Sequence, residues 1–420
     1  MATPVASPYP PIDDYALIGD CHSAALISRQ ASIDWCCMPR FDSASIFGRL
    51  LDWNRGGYFQ VRPTEERSDF FRAYLEDTLV LVTTFETRTG EARLYDCFGM
   101  VEGGARHPRR QLLRIVEGVR GTVEFTARIA ARFDYGGIRP WLRHHGERLY
   151  SAVGGNDAIV ITSDADITPV DRHDLEARFS VRAATRIRLT LTWRPPEDID
   201  PVPPPPPSAA EIDRRFDESV AWWRRWAKKA SGGGTAEPEV RRSALLLKAL
   251  TYAPTGAVVA APTTSLPEAI GAERNWDYRY SWVRDSQFTV RSLGQVGCDR
   301  EADGFRRFVE RSSAGSAESL QIMYGIGGAR RLTELTLPQL EGYRGSRPVR
   351  IGNAASSQIQ LDVYGYLLDL AWRWHQRGRS PDDDYWRFLL SLVDAACERW
   401  DQPDRGIHQL EEEAPVVVVG

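Results

Sequence analysis

The chain has 420 residues, which at roughly 100–200 residues per domain predicts two or three domains. A hydrophobic share of 42% and a charged share of 26% are those of a folded protein and exclude global disorder. A formal net charge of −4, a pI near 6.1 and a mean hydropathy of −0.38 leave no basic footprint for nucleic acid or an acidic membrane surface.

In chain order, the hydrophobic period is at first mostly two. Leu79 to Phe85 is apolar and β-branched and runs into Thr87-Arg88-Thr89-Gly90, a hairpin turn. Val123, Phe125, Ala127 and Ile129 alternate with Glu124, Thr126 and Arg128, and Ile187, Leu189, Leu191 and Trp193 alternate with Arg188, Thr190 and Thr192. Such strands predict an N-terminal antiparallel β-sandwich over residues 1–200. Residues 201–237 read as a linker. Its run Pro203 to Pro207 can join neither a helix nor a central strand. A linker helix follows with Ile212, Phe216, Val220, Trp223 and Trp226 on one face, ended by Ser231 and Gly232 to Gly234.

Beyond the linker the period is 3.6. A helix from Pro238 shows Val240, Ala244, Leu247 and Leu250 on one face, widened by Leu245 and Leu246. Ile359, Val363, Leu367, Leu370 and Trp374 mark another helix. Trp386, Leu389, Val393, Cys397 and Trp400 mark a further one, with Asp382 to Asp384 at its N-terminus. Residues 238–407 are therefore expected to be α, and 408–420 a low-complexity tail.

Chemistry concentrates in the second half. Arg274 to Ser286 interleaves Trp276, Tyr278, Tyr280 and Trp282 with Asp277, Asp285, Arg274, Arg279 and Arg284. Aromatic faces stack on the apolar side of a pyranose while Arg and Asp bind its hydroxyls; the alternative is an aromatic core segment with an internal ion pair. The 13 Trp residues suit large cores or the same sugar-stacking platforms. A second loop, Glu341 to Asn353, carries Arg344, Arg347 and Arg350, which suit phosphate or fix a loop against carboxylates. Tyr324 to Gly328 lacks the βαβ context of a dinucleotide loop. His144-His145 reads as a solvated pair, and Cys36-Cys37 as two small buried apolar residues. The six cysteines match no zinc spacing and read as reduced thiols. No apolar run approaches the roughly 20 residues that cross a bilayer. Met1 to Pro11 lacks a basic stretch followed by an apolar core. The expectation is a cytoplasmic protein with no membrane partner.

Pro262-Thr263-Thr264-Ser265-Leu266-Pro267-Glu268, followed by Asn275 to Ser286, resembles glycoside hydrolase family 15, the family of glucoamylases, glucodextranases and bacterial or archaeal trehalases. Gly345 to Gly352, continuing through Asn353-Ala354-Ala355 and Gln358 to Gly365, resembles its next block. Asp14 to His22, Ser32 to Trp35 and Pro39 to Ser43 resemble the trehalase-like β-domain of bacterial members. The resemblance implies a β-sandwich followed by an (α/α)6 barrel that holds the non-reducing glucose of trehalose or an α-glucan. By motif position Arg284 and Asp285 would grip its hydroxyls. Tyr278 would lie near the ring oxygen, Trp282 would wall the pocket, and Arg347 would line the next sugar subsite. The family inverts the anomeric centre with two carboxyl groups roughly 6.5–9.5 Å apart, with no metal and no cofactor.

One departure from the family pattern bears on activity. Pro403-Asp404-Arg405-Gly406-Ile407 leads into His408-Gln409 where the family has Trp-Glu, so Gln409 occupies the expected general-acid position. The general base is expected further downstream, and residues 238–407 hold about half of the twelve helices of a closed barrel. The resulting expectation is a truncated, weakly active or inactive exo-α-glucosidase. Two alternatives stand beside it: a non-catalytic sugar- or partner-binding remnant, and a half-enzyme completed by a second chain or by oligomerisation.

Overall fold

The computed structural model describes residues 7–65, 68–146, 148–199, 202–232, 234–313 and 316–404, and separates into two compact units. The tail 408–420, Gln409 included, lies outside the described residues. The first unit comprises residues 1–228, 265–275 and 337–349, and the second residues 229–264, 276–336 and 350–420.

The first unit is built on fifteen strands among the described residues. These are β1 (Ala16–Gly19), β2 (Ala24–Ile27), β3 (Ser32–Cys37), β4 (Ser45–Phe47), β5 (Tyr58–Pro63), β6 (Asp69–Tyr74), β7 (Leu81–Thr87) and β8 (Gly90–Phe98). They continue as β9 (Gln111–Ala130), β10 (Trp141–His144), β11 (Leu149–Gly154), β12 (Asp157–Ser163), β13 (Ile167–Pro169), β14 (Leu175–Arg182) and β15 (Arg186–Arg194). All their pairings are antiparallel, in a main order β1-β2-β3-β5-β9-β15-β12-β11-β10.

The long strand β9 joins the two halves of this network. Its first part, from Gln111 to Glu117, pairs with β15, and its second part pairs with β14 and β5. Between them lie Gly118 and Gly121, where a Cβ would stand 2.1 Å from the Arg182 and Thr89 carbonyl oxygens respectively. Only glycine allows that approach. Side chains of both halves meet in one buried cluster, including Ile33, Phe59 and Phe125 from one and Leu94, Leu112, Ile159 and Leu191 from the other. The alternation Val123, Phe125, Ala127, Ile129 is buried throughout, and the turn after Phe85 connects β7 to β8. Inside the unit, Arg114 is fully buried, pairs with buried Asp96 (Nε to Oδ1 2.7 Å) and donates to the Ala31 and Phe59 carbonyls. A guanidinium so placed is tolerated because every hydrogen-bonding arm has an acceptor.

The linker helix α1 (Ala209–Ala227) is capped by Ser208, whose Oγ accepts the Glu211 N–H. Ile212 and Phe216 pack on Val80, Cys97, Leu113 and Ile115, so this helix belongs to the β unit. Trp223 and Trp226 are buried on the same face, and Val220 is half-buried beside it.

The second unit holds five α-helices among the described residues: α2 (Glu237–Ala249), α3 (Val283–Gln295), α4 (Asp299–Ser313), α5 (Asp362–Gln376) and α6 (Asp383–Arg399). Helix α4, with Ala302, Phe305, Phe308 and Val309 buried at helical spacing, is absent from the sequence reading. Two predicted faces are corrected. In α2 the buried residues are Ala244, Leu245 and Ala249, whereas Leu246 is exposed and Leu247 half-buried. In α6 the core side is Tyr385, Phe388, Leu392 and Ala395, and the predicted Trp386, Val393, Cys397 and Trp400 are exposed. In α5, Val363, Leu367 and Leu370 are buried as expected, while Ile359 precedes the helix and is exposed.

Candidate functional site

The segment 276–286 divides into a fixed part and an open part. Asp277 and Arg279 are buried, and the Arg279 guanidinium donates to both Asp277 oxygens, with Nε to Oδ1 at 2.9 Å. Asp277 Oδ2 also accepts the Gly352 N–H at 3.2 Å, and its carbonyl accepts from Asn353 Nδ2 at 3.1 Å. This pair ties the segment to the 350–353 turn, so the internal ion-pair reading holds for these two residues.

The open part begins where Ser281 and Trp282 pair with Tyr324 and Met323 and the chain then turns into α3. Trp282 is buried, and its Nε1 has no acceptor among the described residues. Arg284 and Asp285 occupy the first turn of α3, and Asp362 that of α5, where the helix dipole favours carboxylates. Arg284 is the hub. Its Nη1 donates to Gln360 Oε1 at 3.1 Å and lies 4.0 Å from Asp362 Oδ2, and its Nε is 3.8 Å from Asp285 Oδ2. The guanidinium carbon sits 5.5 Å from the Trp282 ring centroid. The Arg284 side chain is 24% exposed and that of Asp285 45%, so both present polar atoms outward.

Burial pushes the Asp285 carboxyl above the usual carboxylate range, and Arg284 pulls the other way. Asp362 is raised by burial too, with Arg284 opposing and Asp404 adding to the rise. Asp404 Oδ1 accepts the Leu361 N–H at 3.3 Å, at the start of α5. Tyr366 hydrogen-bonds Asp362, and its ring meets Phe288 edge-on with centroids 5.6 Å apart.

The structure therefore brings Trp282, Arg284 and Asp285 together and adds Gln360, Asp362, Tyr366 and Asp404, to which the sequence reading assigned no role. Their signal was the acidic first turn of a second helix, but spacing alone does not reveal that two helix N-termini converge. Tyr278 is half-buried in the same unit, and its carbonyl accepts the Ala261 N–H. Arg347 is exposed and belongs to segment 337–349 of the first unit. The His144 ring lies against Tyr150, and His145 Nε2 lies 2.8 Å from Ser151 Oγ. Cys36 and Cys37 are buried in β3. Among the described residues no group of three or more His, Cys, Asp or Glu is placed to hold a metal ion, and no helix is long and apolar enough to cross a membrane.

A converging set of arginine, amide and carboxylates beside a tryptophan can hold a polyhydroxylated ring. Comparison with known proteins shows what the chain is similar to. Residues 234–412 match the family described as glycosyl hydrolases family 15, and residues 6–190 match the trehalase-like N-terminal domain. The chain is 38% identical over 432 residues to a trehalase of Mycolicibacterium smegmatis, covering 97% of this chain and 63% of that protein. It is 37% identical to a trehalase of Mycobacterium tuberculosis, covering 98% and 63%, and 32% identical to one of Thermoplasma volcanium, covering 96% and 64%. The chain thus spans under two thirds of the length of these relatives. Among solved structures, a bacterial glucoamylase complexed with acarbose superposes with a TM-score of 0.60 at 11% identity, covering 91% of this chain and 58% of that one, which shows a shared fold. Residues 234–412 are thus a region of glycosyl hydrolases family 15, with a trehalase-like N-terminal domain ahead of it over residues 6–190.

Proposed function

We propose that this chain binds the non-reducing glucose of trehalose and belongs to an enzyme that hydrolyses trehalose with inversion, by an exo-acting route. The observation that carries the reading is the Arg284 hub, where a guanidinium faces Asp285, Asp362 and Gln360 beside Trp282. A sugar presents hydroxyls that both donate and accept, so a site that alternates Arg donors with carboxylate acceptors satisfies both faces of each hydroxyl. The Trp282 N–H adds a spare donor. In this reading Arg284 and Asp285 grip glucose hydroxyls, Tyr278 lies near the ring oxygen and Trp282 walls the pocket. The names of the relatives favour trehalose over α-glucans.

The same proposal holds turnover by this chain to be low. Gln409 stands where the resemblance expects the general acid, and a carboxamide has no carboxylic proton to give the leaving oxygen. Loss of one positioned acid lowers the rate by about 10²–10⁴-fold. Within the family reading, the described residues hold part of an (α/α)6 barrel.

Calorimetric titration with trehalose, maltose and glucose, together with a glucose-release assay, tests both halves. The expected outcome is saturable trehalose binding with slow glucose release, and about 10–100-fold weaker binding by Arg284→Ala through loss of its charge-assisted hydrogen bonds. Rapid release would overturn the low-turnover half. Unchanged affinity in Arg284→Ala would overturn the site, and binding with no release at all would favour the sugar-binding remnant.

A further inference from the structure

One cavity of the β unit shares no residue with the Arg284 site. Strands β9, β12 and β15 place Gln111, Val160, Thr162, Thr190 and Thr192 around it, in registers that set Thr162 opposite Thr190 and Gln111 opposite Thr192. Further along the same face of β9, α1 covers Leu113 and Ile115. Over the threonines the cover is Pro204 to Pro207 instead. A proline run brings no N–H groups and only short, rigid rings, so it spans the face without filling it. A space of about 340 Å³ remains, within the size range of small-molecule pockets, and every residue lining it belongs to the first unit.

The polar groups around this space are mostly donors. Arg109 is engaged with Glu218, and Arg215 with Glu211 and, at 3.0 Å, with Gln111 Oε1. Arg110 and Arg194 are half-buried, and neither pairs with a carboxylate among the described residues. Thr162 and Thr190 are buried with their hydroxyl oxygens 2.7 Å apart, so one donates to the other and a single O–H is left over. Thr192 Oγ1 accepts from Gln111 Nε2 at 3.0 Å, which leaves its own O–H to give. Against these donors stands the exposed Asp198. Arg110 is also fixed in place. It adopts a left-handed φ of +51°, a conformation costly for arginine unless surrounding contacts impose it. The Trp193 backbone N–H donates to its carbonyl at 2.9 Å, and its guanidinium carbon lies 5.1 Å from the Trp193 ring centroid. Trp193 is held in turn by its Nε1, which donates to Asp157 Oδ1 at 2.8 Å.

We infer that this cavity binds a small organic oxyanion, a phosphate or carboxylate carried on a hydroxylated carbon body, with Arg110 and Arg194 reading its charge. Two guanidiniums without carboxylates and two surplus hydroxyl donors are complemented by a group that only accepts, which is what an oxyanion does. The body follows from the space and its walls. A bare anion occupies a small part of the cavity, the proline rings and Trp193 offer apolar faces, and Asp198 accepts from a ligand hydroxyl. The inference is independent of the proposed sugar site and stands or falls without it.

The test titrates the full-length chain calorimetrically with glucose 6-phosphate, gluconate, inorganic phosphate and glucose. It is run in Arg284→Ala as well, so that binding at the sugar site is separated from binding here. At least one of the two organic anions is expected to bind saturably in both chains, and the tighter one identifies phosphate or carboxylate as the group read. In the Arg284→Ala chain, glucose is expected to bind at least about tenfold more weakly than that anion. Adding Arg110→Gln or Arg194→Gln to that chain is expected to weaken the anion about 10–100-fold, through loss of a charge-assisted hydrogen bond, and Arg110→Lys to lose less. Circular dichroism checks that each variant folds. A readout that needs no variant at either arginine is salt: affinity is expected to fall several-fold between about 0.05 M and about 0.5 M ionic strength. The site is overturned if neither organic anion binds the Arg284→Ala chain, if glucose binds there as tightly, if both glutamine variants bind as their parent does, or if salt leaves affinity unchanged. Inorganic phosphate binding as tightly as the better organic anion overturns the carbon body.

Discussion

At the scale of single residues, the informative contrast is between two Arg–Asp pairs five residues apart. Arg279 and Asp277 are buried and bond each other, with Asp277 also bound to the 350–353 turn, whereas Arg284 and Asp285 stay partly open at 3.8 Å. Both pairs look alike in the sequence, which is why the sugar-site and ion-pair readings of the segment were both legitimate. Burial decides between them. It also sets a pH dependence, since the Asp285 and Asp362 carboxyls lie above their usual value of 3.8. Between that value and the raised ones the folded chain keeps protons that the unfolded chain has released, so these groups cost stability as pH rises through the window. Asp285→Asn removes one such titration. It is expected to remove its share of the fall in Tm as pH rises through that window and so to raise Tm at neutral pH, while weakening sugar binding. A Tm-against-pH series on the variant checks this, and a profile identical to the parent's would refute it.

At the scale of elements, the helices show how far periodicity reaches. Helix α6 carries two apolar stripes, one of Tyr385, Phe388, Leu392 and Ala395 and one containing Trp386, Val393 and Trp400. Both satisfy a 3.6-residue period, and the larger side chains favoured the second, but neighbours in the fold bury the first. The start of the helix was better specified, because a cap is a local device. Asp382 accepts the Tyr385 N–H at 2.8 Å, one of the donors the first turn leaves unsatisfied. Asp382→Ala is expected to cost about 1 kcal/mol, read as a lower midpoint in urea unfolding followed by far-ultraviolet circular dichroism. In the β unit the alternation of Val123 to Ile129 was equally reliable, since a strand with one buried face admits a single assignment of inside and outside.

At the scale of the whole molecule, the change of period near the proline run correctly separates strands from helices, but not one compact unit from the other. The apolar face of α1 covers side chains of β8 and β9, which draws the first unit's boundary to Lys228. Segments 265–275 and 337–349 join it from within the helical half of the sequence. The β unit is accordingly assembled from three separate stretches, and a fragment of residues 1–232 lacks two of them. Such a fragment leaves Tyr9 and Trp53 without their partners Glu341 and Tyr343, and it is expected to melt at a lower temperature than the β unit in the full chain. Thermal unfolding of fragment and full chain, followed by tryptophan fluorescence, decides the point; equal melting temperatures would show that the two segments add nothing.

Local signals carry the order of β before α, the alternation of the strands, the family resemblance and the interest of the 276–286 segment, because period, capping and motif chemistry are local. Long-range packing settles which face of α6 is buried, that Arg284 gathers Asp285, Gln360 and Asp362, and that segment 337–349 belongs with the β unit. Those outcomes depend on partners far apart in the chain, such as Tyr9 and Glu341 at a separation of 332 residues, and no local pattern records which distant surface will exclude water.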